Sequence, residues 1–155
     1  MTSVKQCLWF ERDMEAAVRF YTSLVPGSSI GMMSAMRTED AGASIGIAHF
    51  MIGDQHYMAI EGGPLDPFNH SFSIMVGCDD QSEIDRLWDS LSEGGSTERC
   101  GWLKDRWGLS WQIVPSVLGE LMSGPDRASA RRVSEAMRSM GKFDIAELRR
   151  AAATE

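Results

Sequence analysis

Residues 4–28 and 71–95 carry the same succession of apolar and polar positions, and a shift of 67 residues superposes them without a gap. In the first stretch a short apolar run (Cys7, Leu8, Trp9, Phe10) leads through Asp13 into MEAAVRFYTSL. There Ala16, Ala17, Phe20 and Leu24 recur at helical spacing, and Pro26-Gly27 ends the helix. In the second, Ser73-Ile74-Met75-Val76 leads through Asp80 into QSEIDRLWDSL and stops at Gly94. Asp13 matches Asp80, Arg19 Arg86, Ser23 Ser90, Leu24 Leu91 and Gly27 Gly94, while Tyr21 meets Trp88. Asp13 sits where an N-cap belongs, its carboxylate expected to accept the free amide N–H groups of the first helical turn.

Three β-like segments follow the first helix, Ile30 to Arg37, Ala43 to Ile52 and Gln55 to Ile60, with Gly53-Asp54 as the tight turn between the last two. Three more follow the second: Thr97 to Cys100, Trp102 to Lys104 and Leu109 to Val114. Strand, helix and three strands, repeated, predict an α+β fold of tandem βαβββ modules. Residues 1–64 form the first module, 65–70 a polar linker, 71–115 the second module and 116–155 a C-terminal helical extension. Within the extension, helices are predicted over Ser116 to Met122, Asp126 to Ser139 and Asp144 to Ala152. The middle one places Ala130, Val133, Met137 and Met140 on one face.

A chain of 155 residues with 43% apolar content can bury a real interior. Its net charge of −7 argues against nucleic acid or an anionic membrane as partner. No apolar stretch nears the roughly 20 residues of a membrane span, and no basic-then-apolar leader opens the chain, so a soluble cytoplasmic protein is expected. Three cysteines without CxxC spacing predict neither a disulfide framework nor a zinc knuckle. Residues 1–125 carry 8 basic and 17 acidic side chains, against 7 and 5 in residues 126–155. A basic arm on an acidic body can dock on its own body or on a second subunit, or leave Arg131, Arg132 and Arg138 in water.

The blocks CLWFERDMEAAVRFYTSLVPGS, DQHYMAIEGGP, DPFNHSFSIMV, CDDQSEIDRLWDSLSEGG and above all CGWLKDRWGLSWQIVP narrow the choice further. A duplicated βαβββ unit of this size resembles the vicinal oxygen chelate superfamily, which includes glyoxalase I, extradiol dioxygenases and bleomycin resistance proteins. The blocks look like its PhnB-like branch, often labelled with a demethylubiquinone methyltransferase name. The resemblance covers essentially the whole chain. It implies curved mixed sheets around a cavity, a small-molecule ligand and a homodimer.

Alternation along each strand sends one set of side chains to the helix and the other to the cavity. Superposing the two copies assigns Cys7 and Trp9, with Ile74 and Val76, to the helix side. Gln6, Leu8 and Phe10 are then expected to face the cavity, with Ser73, Met75 and Gln112; Trp102 joins them as a surface for a planar ligand or as core. Metal-using members of the superfamily place a His or Glu on each module's first strand and a Glu on each last strand. Carried over, those slots fall on Gln6, Ser73 and Gln112, with the fourth near Ala59 or Glu61. Neutral amides and hydroxyls hold a divalent cation weakly, so no metal centre and no other cofactor are expected. A register three residues away would bring in His70 and reopen a divalent metal site, while His49 and His56 read as strand-surface residues.

Two weaker catalytic candidates stand apart from these slots. Cys100 could be a nucleophile, with Lys104 nearby in sequence to favour its thiolate, or a buried structural thiol. Glu61, at a strand end before Gly62-Gly63, could be a general base or a solvent-facing turn acid. Methyl transfer is not expected: the usual adenosylmethionine site follows a glycine-rich turn after a parallel strand, whereas here Glu11-Arg12-Asp13 follows the first strand. The leading expectation is a cavity protein binding a small, partly apolar molecule. The alternatives are a metal- or Cys/Glu-dependent lyase, isomerase or dioxygenase-like enzyme on a carbonyl or quinone-like substrate, and a drug-sequestering resistance protein.

Overall fold

The computed structural model describes residues 1–37 and 44–153, so Ala43, where the third strand was expected to begin, and the last two residues of the C-terminal extension lie outside the described residues. The chain forms two compact units, Met1–Asp66 and Pro67–Glu155. The first comprises β1 (Gln6–Phe10), α1 (Met14–Leu24), β2 (Ser29–Arg37), β3 (Ser44–Ile52) and β4 (Gln55–Glu61). The second comprises β5 (Ser73–Cys78), α2 (Gln81–Ser92), β6 (Ser96–Thr97), β7 (Trp102–Lys104) and β8 (Ser110–Pro115), followed by α3 (Leu118–Ser123), α4 (Arg127–Ser139) and α5 (Ile145–Ala153). Both units build a four-stranded mixed sheet of the same topology, β1-β4-β3-β2 and β5-β8-β7-β6. In each, the first strand runs parallel to the last and the other neighbours are antiparallel.

In the first unit, Leu8, Phe10, Ala48, Phe50, Tyr57 and Ala59 are buried with Met14, Ala17, Val18 and Tyr21 of α1. The register rows Leu8↔Ala59↔Ala48 and Phe10↔Glu61↔Gly46 put these side chains on one sheet face. That face is the one α1 covers, because a Cβ on Gly46 would lie 2.9 Å from Met14 Cε and 3.6 Å from Glu61 Cβ. Leu8 and Phe10, each 2% exposed, therefore pack under the helix, and Trp9, 47% exposed, and Cys7 stand on the open face. The expected sides of this strand are reversed. In the second unit the expected sides hold: Ile74 and Cys78 are buried, as are Trp111, Ile113 and Leu103, while Met75 is exposed.

The phase difference arises where strand enters helix. Inward-facing Phe10 precedes the first residue of α1 by four positions and inward-facing Cys78 precedes that of α2 by three. Asp13 makes its connection in the left-handed region, with φ 62°, whereas Asp80 is extended at φ −138°. The same conformations decide the caps. Asp80 accepts the Glu83 N–H at 2.9 Å, as an N-cap should. Asp13 caps nothing with its side chain; the Met14 N–H donates instead to Glu61 Oε2, at 2.8 Å from the far end of β4.

The C-terminal helices fold back onto the second unit. Val133, Met140, Phe143 and Leu148 form an apolar cluster against which Cys100, Val114, Leu118 and Met122 pack. The Cys100 and Gly101 N–H groups donate to Met140 O and Gly141 O, both at 2.8 Å. This accounts for the strand predicted over Thr97 to Cys100 ending at Thr97: the backbone turns at Cys100 and Gly101, with φ 58° and 77°, and its amides bond the C-terminal segment instead of a neighbouring strand. Gln81 clamps the same segment, donating to Phe143 O and accepting from the Ile145 N–H, each at 2.9 Å. Of the three arginines, Arg132 donates to Ala151 O and Ala152 O at the end of α5, where unpaired carbonyls favour a cation. Arg131 and Arg138 line a surface groove with Arg127.

Candidate functional site

Each unit leaves side chains exposed on the sheet face turned away from its helix, Trp9 in the first and Met75 in the second. In the first unit this face carries Cys7, Trp9, Met58 and Ile60, with His49 in register beside Met58. These are mostly apolar side chains, and His49 Nδ1 lies 3.3 Å from Lys5 Nζ. Gln6 is exposed at the start of β1, on the parity of the helix side.

The second unit's open face is different in kind. Gln112 stands between Met75 on β5 and Trp102 on β7, its register partners on either side. Its Nε2 donates to Ser73 Oγ at 2.9 Å, so Ser73, Met75, Trp102 and Gln112 form one patch on this sheet face. His70, just before β5, brings its ring to 5.8 Å from the Trp102 ring. Its Nε2 lies 2.8 Å from Glu98 Oε2 and 3.1 Å from Oε1. In the sequence His70 stands out only as a metal candidate at a register shifted by three residues, and Glu98 not at all. The two stand 28 positions apart in separate loops, a separation that carries no periodic signal.

Two other candidates, Glu61 and Cys100, are engaged by the fold itself. Glu61, 6% exposed, points to the helix side and is occupied by the Met14 N–H. Cys100 turns its Sγ to Met137 O at 3.6 Å and packs against the C-terminal cluster. Trp111 is fully buried, its Nε1 donating to Asp105 Oδ2 at 2.9 Å. Asp105, itself 3% exposed, also accepts the Trp107 and Leu109 N–H groups and so organises the β7–β8 turn. Trp107 lies under the Arg106 guanidinium, 5.4 Å from its ring centroid. Cys78 is also buried, and burial with the Glu83 and Asp80 carboxylates pushes its thiol up to about 11 against the opposing pull of Arg86.

With this geometry in view, comparison with known proteins places the chain. Residues 2–114 match the family model described as 3-demethylubiquinone-9 3-methyltransferase. The chain belongs to this family. Among solved structures, one similar to this family member is the PhnB protein of Bacillus cereus, whose description carries the same methyltransferase name. It is 29% identical, with a TM-score of 0.62 over 74% of this chain and 100% of that one. Protein PA1353 from Pseudomonas aeruginosa shares the fold at 21% identity and a TM-score of 0.59, covering 74% of this chain and 98% of its own. The fosfomycin resistance protein FosX from Mesorhizobium loti does so at 19% identity and 0.55, covering 79% and 98%. PhnB and FosX are vicinal oxygen chelate proteins, and the βαβββ pairing of the family is theirs. No curated protein matches.

Neither group that the family's names suggest fits the residues present. Adenosylmethionine in its usual fold needs a glycine-rich turn between parallel strand and helix. This family member has Glu11-Arg12-Asp13 after β1 and Asp79-Asp80 after β5, and each sheet as described has one parallel pair. For a divalent cation, the first unit's slots near Ala59 and Glu61 face the helix, and the second's Ser73 and Gln112 are neutral and bonded to each other. Among the described residues no three His, Cys, Asp or Glu side chains are grouped so as to hold a metal ion. Also among them, no helix is long and apolar enough to cross a membrane.

Proposed function

We propose that this family member binds a small, partly apolar, planar molecule on the open face of its second sheet, without a conventional metal centre and without methyl transfer. The Ser73–Gln112 pair flanked by Met75 and Trp102 carries this reading: a hydroxyl and an amide fix orientation while a thioether and an indole supply contact area, the usual make-up of a small-molecule site. The enzyme alternatives built on Glu61 or Cys100 gain nothing from the fold, since one carboxylate caps a helix and the thiol faces a backbone carbonyl. Dialysis of the purified protein against zinc, nickel, manganese or iron(II), followed by metal analysis, is expected to leave far less than one ion per chain. Tight stoichiometric uptake with emergent lyase or dioxygenase activity would overturn the metal-free reading. A homodimer in the cytoplasm belongs to the same proposal; sedimentation as a monomer at micromolar concentration would remove the dimer from it.

A further inference from the structure

At the edge of this patch the His70 imidazole meets the Glu98 carboxylate. Asn69 shapes the turn before β5, its Oδ1 accepting the Ser71 N–H at 2.8 Å, and this turn carries His70 up to Trp102. Glu98 is fixed in turn by its own N–H, which donates to Trp102 O at 2.9 Å. An ionised carboxylate can only accept, so Nε2 of His70 carries hydrogen and the lone pair of the neutral ring lies on Nδ1. Among the described residues Nδ1 has no hydrogen-bond partner. Protonation there makes an imidazolium whose charge Glu98 balances, the role a carboxylate plays behind any histidine base. Around this ring stand Glu98, the neutral Trp102 indole and, two residues along β7 on the same face, Lys104.

We propose, resting on the ligand-binding reading above, that His70 is the proton acceptor of a site for planar molecules bearing an acidic hydroxyl, a phenol or an enol. Trp102 is the surface against which the ring lies, and Glu98 positions the imidazole. In the step the ligand's O–H bond breaks, the electron pair stays on oxygen, and the proton adds to Nδ1. The ligand is then held as phenolate or enolate beside the imidazolium, with no other reactant. A neutral hydroxyl suits a chain of net charge −7 better than a preformed anion, which the protein would repel on approach.

The probes are 4-nitrophenol, whose phenolate absorbs visibly and whose neutral form does not, and 4-nitroanisole, which has no proton to give. Titrated with full-length protein below the free phenol's own midpoint pH, 4-nitrophenol is expected to develop a saturable phenolate band. In His70→Gln, whose amide still reaches Glu98 but holds no basic nitrogen, the band disappears. Affinity for 4-nitrophenol falls about tenfold, as for loss of one hydrogen bond to a charged group, while affinity for 4-nitroanisole is unchanged. His70→Asn behaves alike, and both residues reach solvent, with side chains 55% and 31% exposed for His70 and Glu98, so circular dichroism should report intact folds. Glu98→Gln keeps 4-nitroanisole binding but lowers the saturating phenolate absorbance, a change that a purely structural role would not produce. If 4-nitroanisole binds and no phenolate band forms, or if the band survives His70→Gln, the proton-acceptor assignment fails and the binding face stands. If neither probe binds the unmodified protein, both fail.

Discussion

At the scale of single residues, the catalytic candidates Glu61 and Cys100 are both engaged by backbone groups of the fold. Glu61 is the clearest case: a carboxylate at a strand end, suited to general-base work, instead replaces the missing Asp13 cap on α1. Glu61→Ala strands the buried Met14 N–H and should cost about 1–3 kcal/mol, read from the denaturant midpoint, whereas Glu61→Gln, which keeps an acceptor, should cost less. Equal stability of Ala and Gln variants would show that the hydrogen bond contributes nothing. Cys78 gives a pH prediction. Its thiol titrates at about 11 in the folded chain against an ordinary 9.0, so between those values the unfolded chain has lost a proton that the folded chain keeps. Stability from this group is therefore intact below pH 9 and falls as pH rises through the window. Cys78→Ala should flatten that decline, and an unchanged slope of unfolding free energy against pH would refute the assignment.

At the scale of elements, the repeat is faithful in its helices and out of step in its first strands. α1 and α2 bury equivalent positions, Ala17 and Ile84, Tyr21 and Trp88, Leu24 and Leu91. All four residues of the first strand run are apolar, so hydropathy alone carries no phase there, and the phase borrowed from β5 fails because Asp13 and Asp80 enter their helices with different backbones. The β6–β7 connection depends on a glycine for an equally local reason. A Cβ on Gly101, at φ +77°, would lie 2.5 Å from Phe143 Cε2 and 2.6 Å from Ile113 O. Gly101→Ala combines left-handed strain with overpacking and should destabilise by roughly 3 kcal/mol. A thermal midpoint within a degree or so of the parent would show that the C-terminal segment simply moves aside.

At the scale of the whole molecule, the C-terminal helices are part of the second unit, joined to it by the Val133, Met140, Phe143 and Leu148 cluster and by the backbone bonds to Cys100 and Gly101. Removing residues 126–155 strips the four buried apolar side chains of this cluster, on the order of 6 kcal/mol or more, which is comparable to the stability of a whole domain. The truncated chain should lose cooperative unfolding of the second unit, followed by near-ultraviolet circular dichroism. Retained cooperativity with a change only in sedimentation would mean that the arm serves association between subunits.

The sequence by itself determined the duplicated βαβββ order, the C-terminal helices and the family, because these rest on local periodicity, caps and turn residues that act within a few positions. It also determined the poor donor chemistry of the expected metal slots, since residue type needs no geometry. Only the tertiary structure decided which face of β1 is buried, that Glu61 rather than Asp13 caps α1, and that His70 meets Glu98 beside Trp102. Each depends on one backbone conformation or on a contact between distant segments, and neither leaves a periodic trace in the order of the residues.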